Sequence, residues 1–135
     1  MKGYALNAGG ELTSAMEDYL EMISRLTRQN KPVRVSDLSK MLHVKASSVT
    51  KMVQQLGQSG LIQAEKYRDI YLTGKGREIG DYLLYRHEVI HRFLCALNHS
   101  DNELEQAEKI EHFLNRTTVK NLELLTARLT KNEVC

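Results

Sequence analysis

Residues 35–73, VSDLSKMLHVKASSVTKMVQQLGQSGLIQAEKYRDIYLT, decide the fold. Leu38, Met41 and Leu42 recur at the spacing of one helical face, with Ser36 as the candidate cap. In ASSVTKMVQQL the same period turns Val49, Met52, Val53 and Leu56 inward. That leaves Ser47, Ser48, Lys51, Gln54 and Gln55 outward and Thr50 at the boundary, and Gly57 and Gly60 are expected to stop the helix. LIQAEKYRDIYLT then reads as two short strands joined by a tight turn around Tyr67–Asp69. A helix–turn–helix followed by a hairpin is the order of a winged helix.

Working outward, residues 1–12 are Gly-rich and unpatterned and are expected to be a loose, flexible tail. Ser14 and Glu17 have the spacing of a capping box, after which Met16, Tyr19, Leu20, Ile23 and Leu26 mark the buried face of a first helix. Asp18 and Glu21 fall on its opposite face. Pro32 ends it, because it restricts the residues before it to extended backbone. On the other side, Thr73 is a candidate N-cap for a long helix through GREIGDYLLYRHEVIHRFLCAL, with Ile79, Leu83, Ile90 and Leu94 on one stripe. HSDNE interrupts the pattern, and two helical segments follow at about 103–115 and 118–131. Their apolar faces (Ile110, Phe113, Leu114; Val119, Leu122, Leu125, Leu129) exceed what a compact winged helix needs, which points to a dimer interface. The expected organisation is a tail at 1–12, a winged-helix DNA-binding domain at 13–74, and a linking helix with a helical dimerisation domain at 75–135.

Composition agrees with a mainly α, helical chain. Of 135 residues 41% are hydrophobic and 6% aromatic, with one Pro and eight Gly, which suits one domain or a small domain with an oligomerisation element. No apolar run approaches the roughly 18 residues that span a bilayer. MKGYALNAGGEL lacks the apolar stretch of a signal peptide, so the expected location is the cytoplasm. Cys95 and Cys135 form no CxxC and no disulfide framework. The net charge of +2 hides an asymmetry: residues 31–77 carry nine Lys/Arg against Asp37, Glu65 and Asp69, and the remainder carries ten against fourteen. A basic block beside an acidic remainder suggests an anionic partner for one part and a cationic ligand for the other.

The outward face of 47–56 consists of side chains that hydrogen-bond base edges or phosphates from a helix in the major groove. Lys66 and Arg68 at the hairpin tip suit phosphate or the adjacent minor groove. Lys45, Ser47, Ser48, Thr50, Lys51, Gln54, Gln55, Lys66 and Arg68 are therefore the candidate contacts to double-stranded DNA; a polar solvated face is the plain alternative. In AEKIEH, Glu108, Glu111 and His112 share one face if the segment is α-helical. Asp18 and Glu21 are a second such pair, and His87 lies midway along the long helix. Singly, each has an ordinary explanation: carboxylates in water, a satisfied helix histidine, an i, i+4 pair. Jointly, four carboxylates and two imidazoles make a hard, oxygen-rich site suited to Mn2+ or Fe2+.

AMEDYLEMI, SSVTKMVQQL, EKYRDIYLTGKGREIG, LLYRHEVIHRFL and EKIEHFL, in this order over roughly residues 14–116, resemble the DtxR/MntR family of metal-dependent repressors, most closely its manganese-responsive branch. The resemblance implies a winged helix followed by an all-helical dimerisation region, with a two-metal site between them. The ligand pattern of that branch falls on Asp18, Glu21, His87, Glu108, Glu111 and His112. Iron-tuned branches carry a Met near the position of Asp18 and a Cys near that of Glu111, so the carboxylates here imply manganese, with Fe2+, Zn2+, Co2+ or Cd2+ able to substitute. The chain departs from the pattern at Lys109, where relatives tend to have Gly, at Phe113, which replaces a second His, and at Ala46, which stands for a Pro. Its N-terminal tail is longer than usual, and no SH3-like C-terminal domain is expected.

The implied activity is a homodimeric, Mn2+-activated repressor of manganese-uptake genes that binds a palindromic operator, with no membrane and no small organic substrate. An iron- or zinc-responsive repressor of the same family is the alternative. So is a winged-helix regulator that senses an organic ligand, or an oxidant through Cys95. An enzyme is not expected: di-iron bundles repeat Glu-x-x-His, whereas His112 stands four residues after Glu108 and Leu84 occupies the position three before His87.

Overall fold

The computed structural model describes residues 12–65 and 68–133. Helices α1 (Ser14–Arg28), α2 (Val35–Leu42) and α3 (Ala46–Gln58) precede strands β1 (Ile62–Ala64) and β2 (Ile70–Leu72). Then follow α4 (Gly74–Asn98), α5 (Leu104–Ile110), a 3-10 turn at Glu111–Phe113, and α6 (Arg116–Glu133). The expected mainly α winged helix followed by helices is what the chain forms. It divides into two compact units at residues 84/85. Among the described residues, no helix is long and apolar enough to cross a membrane.

In the first unit Met16, Tyr19, Leu20, Ile23 and Leu26 of α1 are buried with Leu38, Val49, Val53, Leu56, Leu61, Ile62 and Ile70. Leu12, placed by composition in the tail, is fully buried in the same core. Thr13 caps α1, its Oγ1 accepting from the Met16 amide at 3.1 Å, in place of the expected Ser14–Glu17 box. Moving the cap back one residue turns every later position by about 100° relative to the helix start, and Glu17 is buried. Ser36 likewise lies inside α2: the chain enters at Arg34, whose amide donates to Asp37 Oδ2 at 2.9 Å. Only Leu38 of α2 is buried and Met41 is 49% exposed, because an eight-residue helix offers its core a single fully covered position.

α3 continues through Gly57 to Gln58, so that glycine does not stop it. Gly60 does the work, at φ +76, the left-handed conformation that lets the Leu61 amide return to the Leu56 carbonyl at 3.1 Å. The wing pairs antiparallel with Ile62 opposite Leu72 and Ala64 opposite Ile70, so the connection is residues 65–69. The expected turn centre at Tyr67 lies outside the described residues. Two contacts tie β2 to the start of α2: the Ile70 amide donates to Val33 O at 2.7 Å, and Arg34 Nε to Asp69 Oδ1 at 2.7 Å.

Thr73 caps α4 as its position suggests, accepting from the Gly76 amide at 3.0 Å and donating to Gly60 O at 2.7 Å. These bonds press the first turn of α4 onto the backbone of Leu61, where Gly76 leaves no room for a Cβ. One turn later Gly80 lies against the Ser24 side chain of α1 in the same way. Arg28 closes this crossing with an ion pair to Asp81 at 2.9 Å.

In the second unit Ile90, Leu94 and Ala107 form a core with Phe93, Ile110, Leu114 and Leu122 packed against it. Tyr85 OH donates to Glu123 Oε1 at 2.9 Å, fastening α6 to α4. Hydrogen bonds from Lys120 and Tyr85 hold the Glu123 carboxyl below its ordinary range. The single helix expected at 103–115 is broken. Asn115 Oδ1 accepts from the Thr118 amide at 2.8 Å and so starts α6, which forces Leu114 into extended backbone and tightens residues 111–113 into the 3-10 turn. Phe113 and Leu125, which belong to the apolar faces assigned to a dimer interface, are 67% and 42% exposed in the single chain, alongside Leu97, Leu104 and Leu124.

Candidate metal centre

The six candidate ligands fall on three segments. Asp18 and Glu21 stand one turn apart on α1. Asp18 is exposed, and Glu21 is half-buried and accepts an ion pair from Arg25 at 3.1 Å. His87 is buried on α4, and Glu111 and His112 are buried in the 3-10 turn. Within the second unit the structure brings these last three together. His87 Nδ1 lies 2.9 Å from Glu111 Oε2 and, since a carboxylate only accepts, donates to it. His112 Nε2 is 3.9 Å from Glu111 Oε1, so Glu111 sits between two imidazoles.

Glu108 is exposed on α5. Shared-face spacing for 108, 111 and 112 assumes α-helical backbone throughout. Here the backbone tightens into the 3-10 turn after Ile110, with Glu111 and His112 buried and Glu108 exposed. Lys109 Nζ pairs with Glu105 Oε1 at 3.2 Å in solvent, so its charge is spent one turn back along α5.

Two imidazoles around a carboxylate that is 1% exposed fit a divalent cation. A carboxylate is kept in a site this buried only if it is partnered, and nitrogen and oxygen donors with no thiolate among them match hard or borderline ions. Cys95 stands apart from them, its Sγ 3.5 Å from His91 Nε2 one turn away on α4. One buried polar residue escapes a reading of ligand types: Arg86, 3% exposed, with Nη2 3.4 Å from His112 Nδ1. The signal that marks it is its place in the stripe Leu83–Arg86–His87–Ile90–Leu94, where a core-facing position holds a guanidinium.

The candidate DNA contacts lie on the first unit. Lys45, Ser47, Ser48, Thr50, Lys51, Gln54 and Gln55 are all exposed on α3 and its N-cap. Thr50 spends its hydroxyl on the Ala46 carbonyl at 3.0 Å. Arg68 is exposed and paired with Glu65 at 3.3 Å, and Lys66 lies outside the described residues.

Residues 11–70 match the family description "Iron dependent repressor, N-terminal DNA binding domain", and residues 73–134 match "Iron dependent repressor, metal binding and dimerisation domain". The chain belongs to the iron-dependent repressor family. Within it, the chain is 42% identical over 111 residues to the HTH-type transcriptional regulator MntR of Geobacillus kaustophilus (strain HTA426), covering 82% of this chain and 79% of that protein. Its identity to the HTH-type transcriptional regulator MntR of Shouchella clausii (strain KSM-K16) is 38% over 122 residues, covering 90% and 85%. Among solved structures it is similar to the manganese regulator SloR, with a TM-score of 0.71 and 29% identity, and to the metal-dependent transcriptional regulator MtsR, with 0.73 and 27%. Each likeness covers 82% of this chain and 52% of the other, so the chain spans about half the length of those two regulators.

Proposed function

We propose that this member of the iron-dependent repressor family is a homodimeric, Mn2+-activated repressor that binds a palindromic operator of manganese-uptake genes in the cytoplasm. It is a DNA-binding regulator and not an enzyme. The observation that carries the reading is the buried His87–Glu111–His112 group, located in the segment that matches a metal-binding and dimerisation domain. Relatives named MntR and structural neighbours described as manganese regulators support manganese as the ion. Asp18, Glu21, His87, Glu108, Glu111 and His112 are the proposed ligands, in a binuclear site. Fe2+, Zn2+, Co2+ and Cd2+ are the ions expected to compete, since raw affinity along the first row does not favour Mn2+.

A bound divalent cation supplies positive charge that offsets the repulsion among these carboxylates. The ligands come from a helix of the DNA-reading unit and from two segments of the dimerisation unit, so holding one ion in common couples the two. Glu111 orients His87 by accepting its Nδ1 proton, and burial excludes water from both imidazoles. In the first unit, α3 presents Ser47, Ser48, Lys51, Gln54 and Gln55 to base edges and phosphates, and two copies would read half-sites about one helical turn apart.

The test uses a DNA duplex selected from a random-sequence pool on the protein in the presence of Mn2+. Affinity for that duplex is then measured by fluorescence anisotropy with Mn2+ and with chelator. At least about tenfold tighter binding with Mn2+ is expected, a coupling of the usual allosteric size. Equal affinity in the two conditions sinks the proposal. On the same duplex, Lys51→Ala should weaken binding and lower the slope of log affinity against log salt by about one unit. An unchanged slope removes Lys51 from the phosphate contacts.

A further inference from the structure

Arg86 stands one residue before His87 on α4, buried to 3% exposure, with Nη2 3.4 Å from Nδ1 of His112. A guanidinium donates and never accepts. In this contact, therefore, Nδ1 of His112 is the acceptor, and the proton of the neutral imidazole resides on Nε2. Ligation of a cation through Nδ1 takes the lone pair that Arg86 uses. Ligation through Nε2 requires the proton to sit on Nδ1, where N–H would face N–H. Whichever nitrogen ligates, the guanidinium contact and the metal bond exclude one another. His87 is the opposite case: Glu111 accepts from its Nδ1, which leaves Nε2 with its lone pair, the arrangement in which ligating histidines are ordinarily held.

We propose that Arg86 is a positioning residue that competes with the metal for His112. It occupies the Nδ1 lone pair and so keeps the proton on Nε2 until a divalent cation displaces it, and it leaves His112 when the site loads. The affinity of the site is thus set by a difference, between cation and guanidinium, rather than by the ligands alone. The inference rests on His112 being a ligand, as proposed above. It also separates two contributions of Arg86 that a simple deletion would merge. One is its charge, which repels any cation nearby; the other is its donor-only character, which fixes the tautomer. Glutamine removes the charge and offers an Oε1 that can accept from Nδ1–H, whereas methionine removes the charge and offers nothing.

Mn2+ affinity of the full chain, read from the free Mn2+ signal by electron paramagnetic resonance, should be about tenfold tighter in Arg86→Gln than in the wild type, the scale on which outer residues tune a metal site. Arg86→Met should lie between them. Equal affinities for the Gln and Met variants, or a Gln variant no tighter than the wild type, overturn the competitor role. A second measurement needs no variant to fold. In 15N-resolved spectra of the wild-type histidines, His112 Nδ1 should be unprotonated in chelator and should change state when diamagnetic Cd2+ is added. A protonated Nδ1 in chelator overturns the inference. If the wild type takes up no divalent cation, the ligand assignment itself falls. If it takes up the cation while the His112 Nδ1 signal stays as it is in chelator, only the competitor role falls.

Discussion

Glu111→Ala abolishes metal-stimulated DNA binding: the expected Mn2+ affinity falls by about 100-fold or more, beyond the 10–100-fold lost with an outer-shell partner, and Mn2+ no longer tightens binding to the selected duplex. The size of the effect follows from position. Glu111 is 1% exposed, holds His87 at 2.9 Å and faces His112 at 3.9 Å, so its loss removes a ligand and the orientation of another in one step. Thermal stability separates this from misfolding. With chelator, the difference in melting temperature between the variant and the wild type reports the folding cost of leaving His87 without this partner. With Mn2+ at a hundred times its dissociation constant the wild type should gain about 2.7 kcal/mol of stability, and the variant nothing. A variant that keeps this Mn2+-dependent gain would exclude Glu111 as a ligand.

Gly76→Ala should unfold the winged unit at temperatures the wild type survives. An added Cβ would meet the carbonyl oxygen and carbon of Leu61, which are backbone and cannot rotate away. Leu61 is itself held: its amide bonds to Leu56 O at 3.1 Å, and its carbonyl accepts from the Thr73 amide at 3.0 Å. Overpacking at such a point costs about 3 kcal/mol or more, a fall of about 10 °C or more in the melting temperature of a domain this size. Gly80→Ala provides the internal comparison. Its obstacle is the Ser24 side chain, whose hydroxyl can turn, so its cost should stay nearer the lower end of about 1–3 kcal/mol. Equal melting temperatures for the two variants would contradict this account of the contact.

The order of the winged helix was legible because its signals are local. Ile79, Leu83, Ile90 and Leu94 lie on one helical stripe and all four are buried; Val49, Val53 and Leu56 repeat this on α3. Helix ends were less legible, since the competing caps differ by one residue and a fraction of a kcal/mol. Thr13 rather than Ser14 starts α1, and Asp37 rather than Ser36 satisfies the start of α2. The donor types of the candidate site could be read directly, but the break in the helix after Ile110 could not. It falls where an α-helix gives way to a 3-10 turn, which Asn115 decides from further along the chain by capping α6. Arg86 was hidden for another reason: a charged residue in a helix is ordinarily solvated, and only packing shows that this one is not.

The turn Glu111–Phe113 sends two consecutive side chains inward and the next one out, with Phe113 67% exposed beside a His112 that is 9% exposed. So short an element has no slack in length. Inserting one residue after Ile110 would move each side chain on by about 120°, bringing Glu111 to the place of His112 and passing His112 into the exposed place of Phe113. The stretch just before α5, at 99–102, is exposed and carries no such register. Insertions and deletions accumulating over generations should therefore be tolerated there and purged between Ile110 and Asn115, even where every amino acid type is kept.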